Sequence, residues 1–300
     1  DLRRAPGTVA LTFKDVSDRE ASFVSQPFLH FWKQNWLLFM KIGDIACHHK
    51  GEIAVAKFHG SLPAVEEEGG TRSNTFITPQ QGYWEYQSVV LDEPFDLGFP
   101  SVFEYADHMY MVPDSHEIKQ VRLYETSQHD FPFGWKLAGI LLSDKEAGES
   151  SLFQTDDGSN WILITTLLHP SPEIVVYTST NLMGPYQPLD PATVTSKRLL
   201  LHHHGFEHSG GSTVYLPAEK LVPAWHIVNT NHSLWGIAMN TSSLSSLAII
   251  DDEKPIQLVS NSATEYWRAL NVGHISVRPR DPSDPTRPGL FAAFDGIPLN

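Results

Sequence analysis

A strand pair that recurs along the chain constrains the fold of this sequence more than any other feature. In each copy a small residue or proline precedes an apolar strand, and a polar turn leads to a second apolar strand that ends in an aromatic residue or methionine. Five segments follow the pattern: 26–39, 99–111, 149–164, 208–226 and 271–294. With Pro27, Pro100, Ser151, Gly211 and Gly273 taken as equivalent, the steps are 73, 51, 60 and 62 residues. About 60 residues accommodate a four-stranded blade with its loops.

The repeat predicts an all-β fold, a five-bladed β-propeller in which radial repetition protects the strand edges. We expect residues 25–300 to form this single domain and residues 1–24 to be an N-terminal extension. A two-sheet sandwich is the alternative, because strand runs alone do not distinguish the two folds. Residues 62–81 are predicted to form a mobile surface loop.

Charge and composition exclude several partners. Lys and Arg number 21 against 35 Asp and Glu, a net charge of −14 that repels nucleic acid phosphates and anionic lipid headgroups. The longest apolar runs are far below the roughly 20 residues that span a bilayer, so we expect no membrane span. The single cysteine, Cys47, cannot form an internal disulfide. The chain begins at Asp1 without methionine, which indicates a fragment or a processed form.

An ordered series of short motifs runs from about residue 25 to residue 296. It comprises Gln26–Leu29, Lys50–Ala56, Val90–Phe95, Phe99–Glu104, Met109–Ser115, Val121–Glu125, Phe131–Lys136, Leu182–Tyr186, Trp267–His274 and Phe294–Gly296. In this order the motifs resemble the N-terminal propeller domain of plant glucosamine inositolphosphorylceramide transferases and their bacterial relatives. The resemblance implies a five-bladed propeller similar to those of arabinanase-like and invertase-like glycoside hydrolases. It also implies a separate glycosyltransferase domain, outside these 300 residues, that transfers the sugar.

The resemblance suggests where hydrolase chemistry would reside. Hydrolases with this propeller commonly place a base in blade one, an aspartate in blade two and a general acid in blade three, and acid/base hydrolysis needs at least two carboxylates. This sequence has Gln26 and Phe99 at the first two positions and keeps a carboxylate only at Glu149. We therefore expect the usual set to be incomplete, unless a carboxylate from another strand moves in: Asp44, Asp96 or Asp114.

Several other residues are candidates for binding a sugar in the central funnel. The first strands contribute Gln26, Phe99, Glu149, His208 and His274, and Asp114 is a further candidate. Carbohydrate sites combine planar hydrogen-bonding groups with an aromatic face. Trp225 is the preferred face, and the other tryptophans considered are equally explained as core between blades: Trp32, Trp84 and Trp267.

A histidine run at residues 202–204, followed by Glu207 and His208, superficially resembles a metal site. Consecutive residues of a strand point to opposite faces, so at most His202 and His204 converge, with His208 or Glu207 added from the turn, and an exposed loop that titrates near neutral pH is the preferred interpretation. Cys47 beside His48 and His49 likewise does not form a nucleophile and base pair, because adjacent residues do not reach the required geometry. We expect no metal site and no cofactor.

Three functions are compatible with this sequence. The leading hypothesis is a carbohydrate-related domain of a glycosyltransferase-type protein that binds a glycan or glycolipid headgroup without breaking a bond. The second is an active glycoside hydrolase that uses Glu149 as general acid with a relocated base. The third is a protein-interaction propeller. Two sequons, at Asn231 and Asn240, favour the secretory pathway, with the Golgi lumen as the expected location.

Overall fold

A computed structural model describes residues 11–44, 50–61, 81–189, 206–215, 220–228, 231–249, 256–259, 275–279 and 290–294. Strands dominate these residues, and the helical segments among them are three single 3₁₀ turns: Phe13–Asp15, His116–Ile118 and Leu244–Ser246. No helix in these ranges has the length and apolar character needed to cross a bilayer. The predicted loop at 62–81 falls almost entirely outside the described residues.

The first three sheets each contain four antiparallel strands in chain order. Sheet one consists of β1 (Phe23–Trp32), β2 (Asn35–Gly43), β3 (Glu52–Ser61) and β4 (Gln81–Leu91). Sheet two consists of β5 (Gly98–Tyr105), β6 (His108–Asp114), β7 (Gln120–Ser127) and β8 (Lys136–Ser143). Sheet three consists of β9 (Ala147–Gln154), β10 (Trp161–Leu167), β11 (Glu173–Ser179) and β12 (Gln187–Pro188).

The rest of the described chain forms two further sheets. Sheet four consists of β13 (Phe206–Ser209), β14 (Val214–Tyr215), β15 (Lys220–Val228), β16 (Asn231–Asn240), β17 (Ala248–Ile249) and β18 (Ile256–Val259). Sheet five consists of β19 (Ile275–Pro279) and β20 (Leu290–Phe294). The all-β fold class is therefore confirmed, whereas five complete four-stranded blades remain a prediction.

The sheets follow one another in a closed order. Strand β5 contacts β1, β9 contacts β5, β13 contacts β9 and β14 contacts β19. Strand β1 in turn contacts β19 and β20, so the last sheet returns to the first. Because the first strands of successive sheets contact one another, they lie innermost and surround a common axis.

The hydrophobic core lies between neighbouring sheets rather than at this axis. Phe39 and Val55 of sheet one pack with Met111 of sheet two and with Trp135, which directly precedes β8. Leu123 of sheet two shares a cluster with residues of sheet three, and sheet three in turn packs against Met239 of sheet four. This arrangement explains the apolar repeat in sheets two and three, because each of them is covered by a neighbouring sheet on both faces.

A bulge with left-handed backbone opens the first strand of each of the first three sheets. The bulges lie at Gln26 (φ 51°), Phe99 (φ 43°) and Glu149 (φ 53°). At each one the first strand has one residue more than its partner, as in the step from Ser25 to Phe28 against Lys41 to Phe39. Sequence spacing aligned Ser151 with Pro27, but the bulge makes Ser150 its equivalent, since Ser150 directly follows Glu149.

A repeated serine fixes the alignment of the other two sheets. Ser101 and Ser151 lie two residues after the bulges at Phe99 and Glu149, and Ser212 and Ser276 are buried serines of the later sheets. Ser151 Oγ accepts the Thr213 N–H at 3.3 Å, and Ser276 Oγ accepts the Leu29 N–H at 2.9 Å. Thr213 is thus the counterpart of Leu29, and counting back three residues from each aligns Gly210 with Gln26, although the register shift of β13 lies between Phe206 and His208. Counting back two residues from Ser276 gives residue 274, which lies outside the described residues.

Residues 11–22, part of the predicted extension, pack on sheet one. Leu11 and Val16 contact its outer apolar cluster. Asp18 accepts hydrogen bonds from the Tyr86 hydroxyl at 2.6 Å and the Val89 N–H at 3.0 Å. These bonds lower the pKa of Asp18, although burial opposes them. Burial and the Asp18 carboxylate raise the pKa of Tyr86.

Candidate axial site

The bulges bring a set of polar side chains to one end of the axis, because all three lie near the beginning of an innermost strand. The residues paired just before each bulge come from the end of the second strand of each sheet. We define the axial site by the bulge residues and these partners: Gln26, Lys41, Phe99, Asp114, Glu149 and Thr166.

Gln26 is held by the neighbouring sheet. Its Oε1 accepts the backbone N–H of Phe99 at 2.7 Å, which joins sheet one to sheet two. A Cβ atom at Gly98 would lie 2.3 Å from the same oxygen, so this approach requires glycine. The Gln26 side chain therefore supports the assembly of the sheets, and an amide has no basicity for activating water.

Phe99, the second predicted position, is only 4% exposed. Its backbone N–H is the donor to Gln26. The ring thus offers little surface for stacking on a sugar in this structure. Its role as a ligand contact stays a prediction.

Glu149 connects sheet three to sheet four through a hydroxyl. Its Oε2 accepts the Thr166 hydroxyl at 3.0 Å, and Thr166 Oγ1 accepts the Ser209 N–H at 3.1 Å. The side chain is partly buried. An ionised carboxylate has about four acceptor positions.

Asp114 extends from sheet two towards the strand that carries Glu149. Its Oδ1 accepts the His116 backbone N–H at 3.0 Å and lies 2.8 Å from His116 Nδ1. A Cβ atom at Gly148 would lie 2.7 Å from Oδ2. Gly148 directly precedes Glu149, so Asp114 contacts the strand that carries Glu149. The hydrogen bond from Asp114 raises the pKa of His116, and burial opposes that rise.

Asp96 and Asp44, the other two candidates for a relocated base, have different surroundings. Asp96 Oδ2 pairs with Lys41 Nζ at 2.8 Å, and its Oδ1 accepts the Gly51 N–H at 2.6 Å. Both oxygens are thus used to tie sheet one to the segment before β5. Asp44 directly follows the last residue of β2.

The other residues predicted for the site lie in sheet four, in the core or outside the described residues. His208 and Trp225 are backbone partners in β13 and β15, and the register shift of this strand pair lies between Phe206 and His208. His274, Trp267, Cys47 and residues 202–204 lie outside the described residues. Trp32 contacts Phe131, and Trp84 contacts Phe58, as expected for core tryptophans. No group of three or more potential metal ligands occurs within the described ranges.

Sequence reasoning missed His116, Lys41 and Thr166. The sequence did contain a signal for these positions, because a polar residue interrupts the apolar run near the end of each second strand: Lys41, Asp114 and Thr166. Each of these residues reaches the first strand of the next sheet, at Gly98, Gly148 and Ser209 respectively. These contacts join two different sheets, so the periodicity within one strand does not reveal them.

Comparison with known sequences identifies similar proteins. The family model described as the N-terminal region of glucosamine inositolphosphorylceramide transferase 1 matches residues 8–216. The transferase of that name from Oryza sativa subsp. japonica is 29% identical over 170 residues, which cover 55% of this chain and 20% of the relative. The Arabidopsis thaliana protein is 30% identical over 143 residues, covering 48% and 16%. The match thus spans about a fifth of the length of these relatives or less.

Solved structures with a similar fold are glycoside hydrolases. An exo-beta-1,3-galactanase from Clostridium thermocellum has a TM-score of 0.57 at 13% identity, covering 80% of this chain and 51% of that one. An alpha-L-arabinofuranosidase from Podospora anserina has a TM-score of 0.53 at 9% identity, covering 87% and 78%. At these identities the likeness shows the fold alone, which is that of propeller glycoside hydrolases.

Proposed function

Because the chain belongs to the family of N-terminal domains of glucosamine inositolphosphorylceramide transferases, we propose that it binds a glycan or glycolipid headgroup at the axial site. In this proposal the domain presents the ligand to a glycosyltransferase domain outside these 300 residues and breaks no bond itself. The names of the relatives support a sugar or an inositol-containing lipid headgroup as the ligand class.

The proposal is supported mainly by which side chains occupy the three bulge positions and what those side chains contact. Gln26 is bound to a backbone N–H, Phe99 is buried, and only Glu149 is an acid. Protonating a leaving oxygen while activating water requires two suitably placed acid/base groups. Binding requires only acceptors placed for the ligand's hydroxyl groups. The carboxylates of Glu149 and Asp114 supply such acceptors.

A glycan array followed by titration calorimetry tests this function. We expect the wild-type chain to bind a defined subset of glycans and Glu149→Gln to lose at least about tenfold in affinity, or roughly 1.4 kcal/mol. Glu104→Gln is the matched control, because Glu104 is an exposed carboxylate at the other end of β5. Equal affinities of wild type and Glu149→Gln would place the ligand elsewhere, and no binding to any glycan would refute the proposed function.

Glycoside hydrolysis is the second candidate function, and the position of Asp114 favours it. Asp114 lies against Gly148, the residue preceding Glu149, so a second carboxylate contacts the strand that carries Glu149. Turnover of a panel of aryl glycosides by wild type, Glu149→Gln and Asp114→Asn distinguishes the two functions. Binding without cleavage predicts no turnover in any of the three proteins. Wild-type turnover that is lost in both variants would establish the hydrolase.

The secretory location is also part of the proposal. Asn240, one of the two sequon asparagines, lies at the end of β16 with its Oδ1 accepting hydrogen bonds from Ser242. Expression of the full-length protein in its own type of cell, with and without N-glycan removal, tests for modification at this position. If glycan removal leaves the mass unchanged, the sequons are not glycosylated and do not support a secretory location.

A further inference from the structure

His116 and Asp114 form a pair at the edge of the axial site. His116 begins the 3₁₀ turn that follows β6, so its ring and its backbone N–H both face the preceding aspartate. Nδ1 lies 2.8 Å and the backbone N lies 3.0 Å from the same oxygen, Oδ1 of Asp114. Two donors on one oxygen fix the plane of the carboxylate.

The Asp114 carboxylate lies across the boundary between sheets two and three. It occupies space that a side chain at position 148 would need, since a Cβ atom there would lie 2.7 Å from Oδ2 and 3.0 Å from Oδ1. The Asp114 side chain is only 12% exposed. The carboxylate is therefore held against the strand that carries Glu149.

We infer that His116 is a positioning residue of the axial site, which holds Asp114 so that Asp114 and Glu149 accept hydrogen bonds from the same sugar ligand. This inference rests on the proposed function. His116 itself need not touch the ligand, because both of its described bonds are to Asp114.

The charges around His116 indicate how the pair responds to pH. Asp114 and Asp96 favour the protonated ring, whereas Lys41 opposes it. Glu146, which precedes β9, is also close enough to interact with His116. A charged ring makes the stronger hydrogen bond to a carboxylate. We therefore expect ligand affinity to fall as pH rises through the folded-state pKa of His116, which lies above its ordinary value.

Three histidine variants test the inference with the array glycan that gives the strongest wild-type signal. His116→Ala should weaken binding about tenfold and remove the pH dependence. His116→Asn should restore most of the affinity, because its amide nitrogen can take the place of Nδ1. His169→Ala is the control, since His169 pairs with Glu146 at 2.8 Å rather than with Asp114, and should bind like wild type.

The possible results are distinguishable. Wild-type affinity in His116→Ala, with affinity lost in Glu149→Gln, would overturn the positioning role and leave the proposed function intact. A loss in His116→Asn as large as in His116→Ala would also overturn it, provided that both variants unfold at the wild-type temperature.

A ligand-free measurement decides the pairing whether or not a glycan binds. An NMR titration of His116 should show a raised pKa in wild type and a lower one in Asp114→Asn. A His116 titration that does not change between the two proteins would overturn the inference.

Discussion

Gln26 in sheet one and Glu149 in sheet three occupy the same left-handed bulge, but their side chains have different partners. The Gln26 amide accepts a backbone N–H of the next sheet. The Glu149 carboxylate accepts a hydroxyl of its own sheet, and that hydroxyl accepts the backbone N–H of the next sheet. One position thus joins two sheets directly and the other through an intermediate.

The difference shows how one repeated position serves assembly directly in one sheet and carries an acid in another. In sheet one the side chain itself satisfies the buried N–H of Phe99, so any ligand would compete with a structural bond. In sheet three the Thr166 hydroxyl accepts the Ser209 N–H, so the Glu149 carboxylate does not make the bond between the sheets itself. We therefore expect stability to depend on Gln26 and ligand binding to depend on Glu149.

Gln26→Ala should give the largest loss of stability. It leaves the buried Phe99 N–H without its acceptor, which costs about 1–3 kcal/mol in the free energy of unfolding. Gln26→Glu retains an acceptor oxygen and should recover most of that loss, whereas Glu149→Gln should change stability by less than about 0.5 kcal/mol. Urea denaturation of the three variants measures these differences, and an equal loss in Glu149→Gln would contradict the comparison.

Ser276→Ala should have the next largest effect, because it removes the acceptor that joins sheet five to sheet one. Ser276 is fully buried and accepts the N–H of Leu29, which is also fully buried. We expect a loss of about 1.5 kcal/mol by urea denaturation. Ser143→Ala, an exposed serine at the end of β8, is the control. Equal losses of stability in Ser276→Ala and Ser143→Ala would contradict a stabilising bond between sheet five and sheet one.

Gly148→Ala tests the approach of Asp114 to the Glu149 strand. The new methyl group would collide with Asp114 Oδ2, at a cost of about 1 kcal/mol, and glycan affinity should fall as the carboxylate moves. Gly139→Ala is the control, because its Cβ atom would meet the end of the exposed Met183 side chain, which can move aside. Unchanged glycan affinity in Gly148→Ala would show that the position of Asp114 is unimportant for binding.

The smallest expected effect is a pH dependence of stability from His116. Its folded-state pKa is raised by the hydrogen bond with Asp114. Protonation therefore stabilises the folded state fully below the unfolded-state pKa of about 6.5. This contribution disappears as pH rises through the folded-state pKa. Urea midpoints below and above that range should differ in wild type, and the difference should shrink in Asp114→Asn. A difference of the same size in both proteins would assign it to another group.

The sequence predicted the repeat and the residue types at the repeated positions. Alternation between apolar strands and polar turns repeats within each sheet, so local pattern was sufficient to predict an all-β propeller. The resemblance to propeller hydrolases pointed to Gln26, Phe99 and Glu149, which the structure places at equivalent bulges. The missing acids at two of these positions follow directly from residue identity.

Only the tertiary structure decided which residues from different sheets meet. The bulges moved the equivalence in sheet three from Ser151 to Ser150, because an extra residue in one strand leaves no trace in apolar periodicity. The approach of Asp114 to Gly148 joins residues 34 positions apart on different sheets. Such contacts depend on how neighbouring sheets pack, whereas periodicity reports only which face of a strand is buried.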